Sequence, residues 1–315
     1  LVMVPRDFRS IQGAIDFVTH QYHRATPATI QIANGNYEEL LILRGKDNLT
    51  LQGESRDGVV IHALNNAGLN AGGTRAVFLV EDADLLTVQQ LTIRNDTVRA
   101  DTKGSQAETL LFNSNGRLIV KDASFFSEQD TLQLKGYAWF YRTLVSGNVD
   151  FIWGANHAAL FEESEIRSVG DSSKANAGGY VLQARTMNRD DKGFVFLNST
   201  LTHGPGPRGN DIEPGKTFLA RSSGKSANWD NIAFINCRMD EHVAPRGWAG
   251  GGEKFQPAPN PAQANAGSGW REFGSMDVAG KPLDLSQRVG GYLMSATEVK
   301  AQFPSRAAIL GWNPR

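Results

Sequence analysis

The sequence predicts an all-β chain wound as a right-handed parallel β-helix, and three observations carry that expectation. First, a weak repeat runs from residue 86: apolar residues at i and i+2, a small or apolar one at i+5, and an apolar one at i+7. It fits Leu86/Val88/Leu91/Ile93, Leu118/Val120/Ala123/Phe125 and Trp139/Tyr141/Leu144/Ser146. It continues at Ala159/Phe161/Ser164/Ile166, Phe194/Phe196/Ser199/Leu201 and Ile232/Phe234/Cys237/Met239. Second, the closest starts lie about twenty residues apart, the length of one coil built from short strands and tight corners. Third, 33 glycines and many Asn, Ser and Thr supply frequent turns. An antiparallel sandwich with similar strand spacing is the competing architecture.

Taken in order, residues 7–18 read as a helix with Phe8, Ile11, Ala14, Ile15 and Val18 on one face and Asp7 or Ser10 as N-cap. Such a helix suits a lid over the first coil, whose core would otherwise meet water. Strands are expected at 29–33, 35–39 and 49–53. Length beyond bare coils gathers in polar, Gly- and Pro-rich segments at 65–74, 170–179, 203–214 and 249–269, expected as loops on one side of the solenoid. Ser295-Ala296-Thr297-Glu298 is a capping-box pattern opening a short helix through Phe303. No linker divides residues 1–315, so one domain is expected.

Bulk properties narrow the function. A net charge of −1 lacks the basic excess that phosphate backbones require, so nucleic acid is not expected as a partner. No apolar run reaches the eighteen residues of a membrane span. With Cys237 as the single cysteine, an internal disulfide and a cysteine metal cluster are excluded; its repeat position marks it as a buried thiol. The six histidines show no metal-ligand spacing.

The chemistry concentrates between Glu128 and Gly154. Asp130 and Asp150 lie one coil length apart, which would stack their carboxylates on one face. Two adjacent carboxylates resist ionising together, so one keeps its proton while the other stays charged. Gln106 and Gln129 are neutral amide donors on the same face, suited to an oxyanion formed from an ester carbonyl. Arg221, three loop-bearing coils later, is placed to hold one aspartate ionised. Polar ladders that only satisfy backbone groups are the structural alternative for each residue alone.

Several segments resemble the pectin methylesterase family of carbohydrate esterases. Gly35-Asn36-Tyr37-Glu38-Glu39 is similar to its G-x-Y-x-E, Gln106-Ala107 to the start of Q-A-V-A-L, and Gln129-Asp130-Thr131-Leu132 to Q-D-T-L. Gly147 through Gly154 is similar to G-x-V-D-F-I-F-G, with Trp153 for the second Phe. Gln183-Ala184-Arg185, Gly193 through Phe196 and Pro245-Arg246-Gly247-Trp248 follow in family order, so the resemblance runs from about residue 6 to residue 304.

The resemblance implies a parallel β-helix that removes methyl esters from galacturonate units of pectin. It implies Asp150 as nucleophile, Asp130 as acid and then base, Gln129 and Gln106 as the anion hole, Arg221 as the anchor of Asp150, and no metal or organic cofactor. It also implies a monomer acting on wall pectin, hence a secreted protein, with a periplasmic or outer-membrane-anchored form as the variant. Departures fall on the cleft. Leu219-Ala220-Arg221-Ser222-Ser223 stands for L-G-R-P-W, so Ser223 replaces the sugar-stacking tryptophan, and Glu108 stands where Q-A-V-A-L has Val. Phe126, Trp153 and Trp248 are the remaining candidates to stack on sugars, whereas Trp139 and Tyr141 are expected in the core. The altered cleft leaves another ester or thioester, or a non-catalytic carbohydrate-binding β-helix, as alternatives. A lyase would want a calcium-binding carboxylate cluster, which the sequence lacks.

Overall fold

The structure, a computed structural model, describes residues 1–249 and 259–315. It is a parallel β-helix. Successive short strands fall into three sheets of eleven, seven and eight strands, and every strand pair within them is parallel. Apolar residues alternate inward along the early strands Ala28–Ile32, Leu49–Gly53 and Val59–Ala63. The inward residues merge into one core that runs from Val2 to Trp270.

The register follows the sequence repeat with one correction. Leu118 pairs with Ala138, and Ala138 with Ala159, so the repeat at this coil begins at Ala138 rather than Trp139. A slip of one residue exchanges the two faces of a strand. Phe140 and Val145 therefore enter the core, while Trp139 and Tyr141 turn outward and stack on each other at 5.2 Å. Trp139 is still buried, but beneath the C-terminal segment, where the Arg306 guanidinium lies 4.2 Å over its ring.

Helix α1 (Ile11–Gln21) closes the first coil with Ile11, Ala14, Ile15 and Val18 buried and Ser10 as N-cap. The backbone N–H groups of Ile11 and Gln12 donate to the two carboxylate oxygens of Glu39, each at 2.9 Å. Glu39, the last residue of the G-x-Y-x-E-like segment, is thus a remote cap that places negative charge at a helix N-terminus. Helix α2 (Ala296–Gln302) carries the capping box predicted at Ser295 and Glu298. It and α3 (Arg306–Leu310) contribute Phe303, Ile309 and Leu310 to a second apolar cluster that includes Trp139.

Loop placement prepares the site. Crossings from the eight-stranded to the seven-stranded sheet are long at 64–77, 96–109, 170–179 and 205–217. Between them two crossings are short: residues 127–131, and Asn148 alone. Long loops on neighbouring coils therefore wall a trough whose floor is the corner before Leu132 and the strand Val149–Gly154. The expected loop at 249–269 lies partly outside the described residues.

Candidate active site

Asp130 and Asp150 sit on that floor. Leu132 pairs with Ile152, so the residues two positions earlier, Asp130 and Asp150, stack on successive coils. Both hold left-handed backbone conformations, with φ of 65° and 46°. Aspartate is among the few L-residues that tolerate this region, and such backbone concentrates where a side chain must be aimed. At Asp150 the register toward the next strand shifts between Val149 and Ile152, which lifts the carboxylate out of regular alternation.

The two carboxyls are both buried yet held differently. Arg221 Nε donates to Asp150 Oδ1 at 2.9 Å and to Oδ2 at 3.2 Å, and its Nη2 also donates to Oδ2. Gln183 Nε2 donates to Asp150 Oδ2 at 3.3 Å. Asp130 has no such fork; Arg75 Nη2 donates to its Oδ2 at 3.1 Å. Burial raises the pKa of Asp150, with Arg221 drawing it back. Asp130 is pushed well above the usual carboxylate range, first by burial and then by the nearby charges of Glu108 and Asp150. The surroundings of this coupled pair thus favour a proton on Asp130 more than on Asp150.

The two glutamines stack along the winding as the aspartates do: the backbone of Gln106 pairs with that of Gln129, and Gln129 with Val149, on three consecutive coils. The Gln129 side-chain oxygen accepts from Ser105 Oγ at 2.7 Å, which leaves its NH₂ as the end available to an incoming oxygen. Trp153 lies close by, with the Arg185 guanidinium 4.5 Å over its ring.

Two expected sugar platforms stand elsewhere. Trp248 is 1% exposed, stacked on Trp270 at 5.2 Å inside the core, so its faces are already covered. Phe126 lines a groove of about 500 Å³ with Glu128, Arg94, Arg167, Thr202 and His203, to which none of the five candidate catalytic residues contributes. Ser223 accepts from Asn228 Nδ2 at 2.8 Å and is partly exposed.

Other residues at the site escaped sequence reasoning. Gln183 and Arg185 lie in a family-like segment that carried no role; Arg185 donates to Gln183 Oε1 at 2.8 Å, and its charge acts on both aspartates. Glu128, next to Gln129, ties the trough walls together. Its carboxylate accepts from Arg99 N, Ser172 N, Ser172 Oγ and Asn148 Nδ2 at 2.6–3.0 Å. Glu108 and Arg75 were not legible as a pair, because the loop from 64 to 77 hides their adjacency. Among the described residues no group of three or more His, Cys, Asp or Glu is arranged to hold a metal ion.

Comparison with known proteins identifies the family and the fold. The pectinesterase family model matches residues 5–272. Pectinesterase A of Dickeya chrysanthemi is 32% identical over 275 residues, covering 77% of this chain and 73% of that protein. The solved pectin methylesterase from Erwinia chrysanthemi superposes with a TM-score of 0.77 at 26% identity, over 100% of this chain and 97% of that one. A pectin methylesterase solved in complex with a hexasaccharide also gives 0.77 at 26% identity, over 98% and 95% of the two chains.

Proposed function

The chain belongs to the pectinesterase family and hydrolyses the methyl esters of pectin, and we propose that Asp150 is its nucleophile and Asp130 its acid and base. The observation that carries the assignment is the asymmetry of two stacked carboxyls: Arg221 forks onto Asp150, while Asp130 keeps the environment that favours a proton.

In the first half-reaction the Asp150 carboxylate attacks the ester carbonyl carbon, and the oxyanion takes hydrogen bonds from the Gln106 and Gln129 amides. Collapse breaks the bond to the methoxy oxygen, and Asp130 gives its proton to the departing methanol. The galacturonyl group is then joined to Asp150 as an anhydride. Water attacks that carbonyl, the Asp130 carboxylate takes a proton from it, and galacturonate leaves with both aspartates restored. Arg221 holds Asp150 ionised and aimed before the attack and receives its carboxylate again when the anhydride is hydrolysed. The Trp153 ring beside Arg185 supplies a sugar-facing surface at the floor, and Ser223 leaves its own position less apolar than a tryptophan would. The chain is inferred to act as a monomer outside the cell, where pectin lies.

The test is methanol release from highly methylated pectin by the parent chain and by Asp150→Asn, with a thermal melt of each. Release by the parent and none by a folded variant supports the assignment. Turnover retained by the variant removes Asp150 from the nucleophile's role. A folded parent active only on small model esters moves the substrate away from pectin.

A further inference from the structure

Glu108 extends the carboxylate column by one coil. Leu110 pairs with Leu132 just as Leu132 pairs with Ile152, so Glu108, Asp130 and Asp150 each lie two residues before a paired position. Glu108 is fully buried, in a place where the related motif carries valine. A carboxylate there costs several kcal/mol of desolvation unless it is paired, so its partner is informative. That partner is Arg75: its Nε donates to Glu108 Oε1 and Oε2 at 3.0 and 2.9 Å, and its Nη2 to Oε1 at 2.8 Å. The same Nη2 reaches Asp130 Oδ2 at 3.1 Å. One guanidinium is thus shared between a carboxyl with no route to substrate and the carboxyl assigned as acid and base.

We propose that Arg75, clamped by Glu108, is a positioning residue that orients the Asp130 carboxyl and sets the balance between its acid and base forms. The inference rests on the role assigned to Asp130 above. An acid that must become a base within one turnover needs neither form strongly favoured. Arg75 supports the carboxylate that remains after methanol leaves, and Glu108 offsets enough of that charge to let the proton return. Facing Asp130 are Glu108 and Asp150, which favour its protonated form, and Arg75 and Arg185, which favour its ionised form. Removing Glu108 or Arg75 therefore shifts Asp130 in opposite directions, a signature that a merely structural contact would not give.

The experiment is the pH profile of kcat/KM for methanol release, whose descending limb reports loss of the Asp130 proton. Glu108→Gln keeps the shape and still accepts from Arg75; its limb is expected about one unit lower. Arg75→Met is expected to move the limb up by about as much, and Arg75→Lys to restore it toward the parent. Asp130→Asn serves as the control and should abolish the limb. If it does so while folded Glu108→Gln and Arg75→Met leave the limb in place, the positioning role is overturned and the assignment of Asp130 stands. If Asp130→Asn keeps the limb, that assignment fails and the inference with it. Should Arg75→Met not fold, Glu108→Gln decides alone, and an unmoved limb counts against the proposal.

Discussion

The same winding that stacks phenylalanines inside this solenoid stacks carboxyls on its outside. Within the core, Phe140, Phe161, Phe196 and Phe234 occupy paired positions on successive coils, with ring centroids 4.5–4.8 Å apart and planes within 15° of parallel. All four are fully buried, and each repeat adds apolar contact at no electrostatic cost. In the trough, Glu108, Asp130 and Asp150 follow the same rule of succession, but here repetition is penalised. Each added carboxyl raises its neighbour's reluctance to ionise, and arginines from separate loops and strands hold the column together. A row that repeats favourably is scaffold; one that repeats against its own charge is kept by its chemistry.

That contrast can be broken from either side. The largest effect is expected at Asp150→Asn, a loss of at least about 10³-fold in kcat with the melt nearly unchanged, read as methanol release beside a thermal scan. Phe196→Ala should do the reverse. It costs about 3–5 kcal/mol in urea unfolding while the fraction that stays folded turns over normally. Arg221→Ala should lower kcat by about 10²-fold or more and move the ascending limb of the pH profile upward. The sign follows because Arg221 draws the Asp150 pKa down, and without it the nucleophile ionises only at higher pH. Smaller still is Glu39→Ala, expected to cost about 1–2 kcal/mol of stability through the uncapped start of α1, with kcat retained.

A pH prediction sharpens the contrast further. The folded state raises the Asp130 pKa above its unfolded value, so its contribution to stability is present at low pH and is lost as pH rises through the folded value. Asp130→Asn should therefore raise the melting temperature above neutral pH, have little effect in acid, and still suppress activity. A melt lowered equally at both ends would place Asp130 among the scaffold residues.

Much of this layout was legible because solenoids turn sequence spacing into spatial stacking. Asp130 and Asp150 differ by one coil, and the register places them together. The Ile11, Ala14, Ile15 and Val18 face of α1, the capping box at Ser295 and the corner position of Cys237 were readable from local pattern, although the helix starts at Ile11 and leaves Phe8 outside it. Reading failed where both faces of a strand are apolar. In Ala138-Trp139-Phe140 the outer face is covered by the C-terminal segment, so alternation no longer tells inside from outside, and Trp139 was placed one residue out of register. Trp248, offered as a sugar platform, instead ends the phenylalanine row with its ring 5.9 Å from Phe234. The Arg75–Glu108 pair was hidden because long loops scramble the count between coils, and only pairing of the flanking strands restores it.

The measurement that bears most directly on the central claim is kcat/KM for methanol release against pH, for the parent and for Asp130→Asn. Two stacked carboxyls with divided roles predict a bell in the parent whose descending limb lies above the ordinary carboxylate range, and loss of that limb with most of the rate in the variant. A parent rate that rises to a plateau and stays there through pH 9, or a variant that keeps the bell, would contradict the division.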